Sequence, residues 1–154
     1  MAKLDRNDHH IFYIHYHFVW IPKYRHKVFE EPCATFLKDI IRKTAYNYDM
    51  EVTEIEIPPD HIHMMLKALP RHSPSEIMNI IKSISAIQFF KQFPIIKRKY
   101  FWGGRLWTES FYVETVGRSS EEAVRKYVQN QLKELYRQEK QFKMLWDTNP
   151  DAVG

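Results

Sequence analysis

Two histidines separated by one residue, His61 and His63, have types and spacing that could support metal chemistry. In a β-strand, residues i and i+2 project to the same side about 6.6 Å apart, so two such imidazoles can converge on one ion. His15 and His17 form a second pair with the same spacing. Because the chain contains 8 histidines, the spacing alone is not specific. Solvated or base-stacking surface histidines are the alternative for each pair.

A tyrosine and an amide four residues apart, Tyr127 and Gln131, form another candidate set. On a helix this spacing places both side chains on one face, about 6 Å apart along the axis, so one metal site could use both. Periodicity alone instead favours Tyr127 as a packing residue continuous with Val124 and Val128, and Gln131 as a solvated residue. The residues themselves therefore leave the role of Tyr127 open.

Two basic segments interleaved with aromatic residues could bind a polyanion. The charges lie in residues 23–27 and 97–99, and the neighbouring aromatic residues are Tyr24, Tyr100, Phe101, Trp102 and Trp107. Such a combination can bind phosphates and stack unpaired bases. An ordinary basic loop with satellite core aromatics explains the same residues equally well. A net charge of +4, from 23 basic and 19 acidic residues, is too mild an excess to decide.

The elements that must position these residues follow from periodicity. Alternating apolar and polar residues predict four strands, over residues 10–20, 50–57, 61–69 and 107–116. A change of phase near Thr53 indicates a bulge in the second strand. Helical spacing and two capping boxes predict three helices, over residues 32–48, from 73 toward 94, and from 119 through 142.

The order of these elements is β-α-β-β-α-β followed by a long C-terminal helix. It predicts an α+β, ferredoxin-like sheet with two helices on one face and the other face left open. His61 and His63 would lie on the open face, which is unusually polar in the third strand.

Composition limits the class of protein. A chain of 154 residues with 44% hydrophobic and 15% aromatic residues suffices for one compact domain, expected over residues 1–147 with a flexible tail at 148–154. Cys33 is the only cysteine, so an intrachain disulfide is impossible. The sequence has no apolar segment of leader or membrane-spanning length, which favours a cytoplasmic location without membrane contact.

Four motifs, in this order, resemble the single-tyrosine HUH transposases of small bacterial and archaeal insertion sequences, where HUH denotes histidine, hydrophobic residue, histidine. They are Tyr16-His17-Phe18-Val19-Trp20 running into Pro22-Lys23-Tyr24-Arg25, then Pro59-Asp60-His61-Ile62-His63, then Tyr112-Val113-Glu114-Thr115-Val116-Gly117, and finally Val124-x-x-Tyr127-Val128-x-x-Gln131. The resemblance covers nearly the whole chain. The sequence departs from the family pattern most clearly in segment 94–108. This segment contains none of the expected catalytic residues.

The resemblance implies the roles of individual residues. His61 and His63 would be metal ligands, Gln131 the third ligand and Tyr127 the nucleophile, with Asp60 supporting the ligands. The ion would be Mg²⁺ or Mn²⁺. The expected DNA contacts are Lys23, Tyr24, Arg25, Lys97, Arg98 and Lys99. His15-Tyr16-His17 is expected to stay at the surface or to touch DNA.

The resemblance also implies an activity. The protein would cleave and rejoin single-stranded DNA that carries hairpins at the ends of a mobile element, through a 5′-phosphotyrosine intermediate, in the cytoplasm of a prokaryotic cell. It would act as a homodimer with shared active sites, in which one subunit supplies the histidines and the other the tyrosine. The sequence has no G-x-x-x-x-G-K-[ST] loop, in agreement with a reaction that needs no nucleotide cofactor.

Two alternatives accompany this hypothesis. A non-catalytic single-stranded nucleic-acid-binding module is one, because RNA-recognition modules use the aromatic open face of a ferredoxin-like sheet, although the third strand lacks that aromatic signature. An HUH replication initiator or relaxase is the other, although these usually carry further domains. The related transposases of repeated extragenic palindromes usually lack the Pro-Lys-Tyr-Arg segment, so the motifs favour the insertion-sequence branch.

Overall fold

The computed structural model of the chain describes residues 5–7, 9–117, 126, 129–130, 133–138 and 140–141. The chain divides into two units, one of residues 3–118 and one of residues 1–2 and 119–154. In the second unit the described residues are helical, and Arg137 donates a hydrogen bond of 2.7 Å to Glu134 within that helix. Tyr127, Gln131, the capping box at 119–122 and the tail at 148–154 lie outside the described residues.

Four antiparallel strands form the sheet of the first unit. They are β1 (His15–Trp20), β2 (Glu51–Glu56), β3 (Ile62–Lys67) and β4 (Tyr112–Thr115). Their order across the sheet is β2-β3-β1-β4, which is the order that a ferredoxin-like β-α-β-β-α-β chain produces. The predicted α+β fold class is therefore confirmed. A short antiparallel pair, Asp5–Arg6 with Ile11–Phe12, precedes β1.

The strands differ from their predicted bounds at two places. Pairing in the first predicted strand stops at Phe12 and resumes at His15. The last strand begins only at residue 112: Trp107 forms an isolated bridge with Pro22, and the carbonyls of Thr108 and Ser110 accept hydrogen bonds of 2.8 and 2.9 Å from the Lys82 ammonium. A side chain thus satisfies backbone groups that a longer strand would have paired.

The bulge predicted in the second strand is present. The register between β2 and β3 shifts between Val52 and Glu54, and the Thr53 hydroxyl donates a hydrogen bond of 3.2 Å to the carbonyl of Met65. The shift explains the change of phase in the sequence, because one extra residue on a strand moves the following side chains to the opposite face.

Two long helices, α1 (Cys33–Asn47) and α2 (Pro74–Gln92), pack against each other and share one core with the sheet. The Ser73 side chain accepts a hydrogen bond from the backbone N–H of Glu76, which confirms the predicted capping box. The helical spacing of Ile77, Ile80 and Ile84 predicts that Ile87 is also buried, but Ile87 is 56% exposed. No helix within the described ranges is long and apolar enough to cross a membrane.

A third helix, α3 (Pro94–Tyr100), was not predicted. Its last turn carries three consecutive basic residues, 97–99. Cations are favourable at a helix C-terminus because they interact with the partial negative charge of its free carbonyl groups. Segment 94–108, where the sequence departs from the family pattern, thus contains a short basic helix.

The face of the sheet opposite the helices is buried at its centre. Strand alternation directs four side chains of β1 and β3 to this side: His17, Val19, His63 and Met65. All four are buried, and none is more than 7% exposed. The expectation that this face is left open is therefore wrong at these positions. The imidazole rings of His17 and His63 pack against each other, and His17 also packs against the ring of Tyr112.

Candidate active site

His61 immediately precedes β3 and has its ring held by the residue before it. Its Nδ1 lies 3.0 Å from Oδ1 of Asp60. A carboxylate can only accept a hydrogen bond, so Nδ1 of His61 carries the proton and Nε2 keeps its lone pair. A carboxylate behind a histidine fixes both the tautomer and the orientation that a metal ligand requires.

Asp60 is itself held in place by Arg25. The guanidinium Nε of Arg25 donates a hydrogen bond of 3.1 Å to Oδ2 of Asp60, whose side chain is only 6% exposed. The hydrogen bond from His61, together with the charge of Arg25, lowers the pKa of the Asp60 carboxyl. The carboxyl is therefore kept anionic beside His61. A residue predicted to contact DNA is in this way joined to a candidate metal ligand.

The turn that carries Arg25 has an unusual backbone. Tyr24 and Arg25 have φ angles of 62° and 51°, in the left-handed region that is unfavourable for residues with bulky side chains. The turn is anchored by the backbone N–H of Lys23, which donates a hydrogen bond of 2.7 Å to the carbonyl of Leu106, and by the ion pair with Asp60. Local strain of this kind persists only where the surroundings fix it, and it occurs often at functional sites.

His63 differs from His61 in having no hydrogen-bond partner at either ring nitrogen, although the side chain is buried. Burial, reinforced by the neighbouring His17 and His61, lowers the pKa of His63 to about 3. The ring is therefore neutral at physiological pH, which is the form that binds a metal. Buried polar atoms without partners are uncommon and call for an explanation such as a bound ion.

His17 lies directly beside His63. The centres of the two rings are 4.7 Å apart, and Nδ1 of His17 lies 3.0 Å from Oε1 of Glu114, whose Oε2 accepts a hydrogen bond of 2.9 Å from the Tyr112 hydroxyl. The expectation that His17 stays at the surface is wrong, because its side chain is fully buried. Burial lowers the pKa of His17, although Glu114 partly opposes that effect.

The two basic segments, which are far apart in the sequence, meet on the surface. The ring centres of Tyr24 and His26 are 5.8 Å apart, and those of His26 and Tyr100 are 5.1 Å apart. The ammonium groups of Lys23 and Lys99 lie 5.3 and 5.2 Å from the ring centres of Tyr24 and Tyr100. We call these three rings the aromatic row. It carries a lysine near each end.

The remaining predicted DNA contacts lie on α3. The ammonium of Lys97 is 5.3 Å from the ring centre of Phe90, and Arg98 is exposed. The other aromatic candidates for base stacking divide into two groups. Trp102 is 80% exposed, whereas Phe101 and Trp107 are buried in the core.

The described parts of the chain hold two of the implied metal ligands. Among the described residues, no three His, Cys, Asp or Glu side chains lie close enough together to bind an ion. Gln131, the implied third ligand, and Tyr127, the implied nucleophile, lie outside these ranges. The buried nitrogens of His63 and the Asp60-supported ring of His61 nevertheless fit a metal site, because each ring has a nitrogen available as a ligand.

This fold is shared with two solved structures. A crystal structure assigned to a transposase of Deinococcus radiodurans R1 aligns with a TM-score of 0.68 and 34% identity, over 82% of this chain and 97% of the other. A REP-associated tyrosine transposase bound to a REP hairpin aligns with a TM-score of 0.53 over 83% of this chain and 68% of the other. The second pair shares only 16% identity, so it supports the fold alone.

The sequence comparisons identify the family. The model of the family described as IS200-like transposase matches residues 10–131. The ISDra2 transposase TnpA of Deinococcus radiodurans is 35% identical over 129 residues, which are 84% of this chain and 91% of the relative. The IS200 transposase of Salmonella typhimurium is 34% identical over 119 residues, 77% of each chain. The chain belongs to the IS200-like transposase family, and the resemblance inferred from the four motifs is confirmed.

Proposed function

We propose that this transposase cleaves and rejoins single-stranded DNA, with Tyr127 as the nucleophile and with Mg²⁺ or Mn²⁺ bound by His61, His63 and Gln131. The observation that carries the proposal is the state of His63, which is buried with both ring nitrogens unpartnered. The neighbouring His61 is already held by Asp60 in a ligand-competent tautomer. The neutral ring of His63 and the ring of His61 oriented by Asp60 fit one divalent ion.

The chemistry explains why a cation is useful here. An ordinary tyrosine phenol has a pKa near 10, so forming its phenolate at pH 7 requires about 4 kcal/mol. A divalent ion held by His61, His63 and Gln131 would supply positive charge close to the scissile phosphate. The oxygen of Tyr127 would bond to phosphorus while the bond from phosphorus to the 3′ oxygen breaks; the phenol loses its proton to solvent, and the departing oxygen takes up a proton from solvent and leaves as a 3′-OH. A 3′-OH from another DNA end can reverse this step, so no nucleotide is consumed.

The proposed DNA partner is a single strand with hairpins at the element's ends. The aromatic row supports it, because the exposed ring of Tyr24 and the half-buried rings of His26 and Tyr100, with a lysine near each end, can stack bases and contact phosphates. The proposed contact residues are Lys23, Tyr24, Arg25, Lys97, Arg98 and Lys99. The hairpin bound to the REP-associated transposase is a property of that protein, and it motivates the use of hairpin DNA as the substrate in the experiment.

A covalent-adduct assay tests the nucleophile. The protein is incubated with Mn²⁺ and a single-stranded hairpin oligonucleotide, and adducts are separated on a denaturing gel. Tyr127→Phe should abolish the adduct and retain hairpin binding, because it removes only the attacking oxygen. Tyr136→Phe, on a helical residue of the same unit, is the matched control and should form the adduct. A wild-type adduct yield from Tyr127→Phe would show that another residue attacks.

The proposed working unit is a homodimer with shared sites. One tyrosine can hold only one strand covalently, whereas moving a DNA segment requires two ends to be held until they are exchanged. Mixing inactive Tyr127→Phe with inactive His63→Ala should restore one complete site per heterodimer after subunit exchange. Continued inactivity despite demonstrated exchange would refute the sharing of sites and leave the nucleophile assignment untouched.

A further inference from the structure

Three of the buried nitrogens without a partner belong to two adjacent rings. They are Nε2 of His17 and both ring nitrogens of His63. The ring centres are 4.7 Å apart, and the planes are inclined at 63°. The side chains are 0% and 1% exposed, so these nitrogens are shielded from bulk water. The resemblance places His17 at the surface or against DNA and gives it no part in the metal site.

Glu114 determines which nitrogen of His17 is the donor. Its carboxylate only accepts hydrogen bonds, so Nδ1 of His17, at 3.0 Å from Oε1, must carry the proton. The other oxygen of this carboxylate accepts from the Tyr112 hydroxyl, which fixes the orientation of the carboxylate further. Nε2 of His17 is therefore left as a buried acceptor beside His63.

The distance between the rings allows them to share a hydrogen. A hydrogen bond of about 3 Å between nitrogens of two imidazoles corresponds to ring centres up to roughly 5.3 Å apart. The observed separation of 4.7 Å lies within this reach. With His17 held by Glu114, the hydrogen bond requires only that the ring of His63 turn about its side-chain bonds toward Nε2 of His17.

We infer that His17, oriented by Glu114, is a positioning residue for His63, with Nε2 of His17 accepting the hydrogen of His63 Nδ1. This leaves Nε2 of His63 as the ligand, and the inference rests on the metal site proposed above. The two ligands then have matching support. Asp60 holds His61 directly, and Glu114 holds His63 through His17. Partners of this kind change metal affinity by about 10- to 100-fold.

The first test uses the metal-free wild-type protein and needs no variant of His17. Imidazole ¹⁵N chemical shifts, recorded in the presence of chelator, report which nitrogen of each ring carries the proton. We expect the Nδ1–H form for both His17 and His63, which is the form less favoured by free histidine. Assignment of His63 comes from the signal that disappears in His63→Gln. An Nε2–H form of His63 would overturn the inference.

The second test measures Mn²⁺ binding by calorimetry, so it does not depend on cleavage. His17→Phe keeps the ring shape without an acceptor and should weaken binding about 10- to 100-fold. His17→Gln offers an amide oxygen near the position of Nε2 and should stay within about threefold of wild type. His15→Phe, two residues away on the same strand, is the matched control and should bind as wild type does. Circular dichroism checks that each variant is folded.

The outcomes separate this inference from the metal site itself. If His63→Ala abolishes Mn²⁺ binding while folded His17→Phe binds within twofold of wild type, His17 only packs against His63 and the inference is refuted. If His63→Ala binds Mn²⁺ as wild type does, the proposed metal site falls and the inference falls with it. Loss of binding in His17→Phe with rescue in His17→Gln supports the positioning role, because a packing defect would not be rescued by an amide.

Discussion

The buried neutral state of His63 predicts that the metal-free protein loses stability as the pH falls. In the unfolded chain this histidine takes up a proton near pH 6.5, whereas in the folded chain it does so only near pH 3. Between these values the unfolded state holds more protons, so acid favours unfolding. The stability contributed by the neutral ring is fully present above pH 6.5 and is lost progressively down to pH 3.

The size of the effect follows from the pKa difference. Each pH unit within this window removes about 1.4 kcal/mol from the free energy of unfolding. His63→Leu has nearly the same volume and cannot be protonated. Between pH 7 and pH 4.5, the free energy of unfolding of wild type should therefore fall by about 2.5 kcal/mol more than that of His63→Leu.

Urea denaturation measures this difference. Both proteins are unfolded at several pH values in chelator, with tryptophan fluorescence as the signal, because Trp20 and Trp107 are buried in the fold. Subtracting one curve from the other removes the contributions of all groups that titrate alike in the two proteins. A difference that changes by less than about 0.5 kcal/mol over this range would refute the assignment of His63 as a buried neutral ring.

Further predictions concern the groups around the site. Asp60→Asn should weaken Mn²⁺ binding about 10- to 100-fold in calorimetry. The control Asp49→Asn, in an exposed ion pair, should have no effect. If Asp60→Asn binds Mn²⁺ as tightly as wild type does, the Asp60 carboxylate does not support the ligand. Lys23→Gln should reduce the log-log salt slope of hairpin binding by about 0.7 in fluorescence anisotropy, and Lys43→Gln on α1 should leave it unchanged. Excess chelator should stop adduct formation on denaturing gels; undiminished cleavage would remove the ion from the mechanism. Lys82→Met should lower the free energy of unfolding by about 1–2 kcal/mol in urea, because two carbonyls lose their donor.

The fold was predictable because it depends largely on patterns within single elements. The alternation in the strands determined their number and order, and the change of phase at Thr53 marked a real shift in register. The capping box at Ser73 set the beginning of α2. Helix α3 was missed because its short sequence lacks a helical stripe, and the last strand was predicted too long because the contacts of residues 107–110 with Pro22 and Lys82 come from distant parts of the chain.

The candidate site was predictable only in part, because some of its contacts join residues that are far apart in the sequence. The spacing of His61 and His63 identified the pair, and adjacency in sequence placed Asp60 next to it. The contact between His17 and Glu114 depends on the register of β1 against β4, which pairs residues 97 positions apart. No local pattern encodes that pairing. The contact of Arg25 with Asp60 was missed for the same reason, although both residues belong to the recognised motifs.

The ion pair between Arg25 and Asp60 has an evolutionary consequence. A change at Arg25 alone would remove one of the two partners that hold the largely buried carboxylate of Asp60, and a change at Asp60 alone would break the same ion pair; either is destabilising. Positions 25 and 60 are therefore expected to change together among relatives, and an alignment should show correlated pairs at these two sites. The basic turn that carries Tyr24 would then be inherited jointly with the histidine strand, whereas α3 and the exposed Trp102 are not tied to that strand by this ion pair.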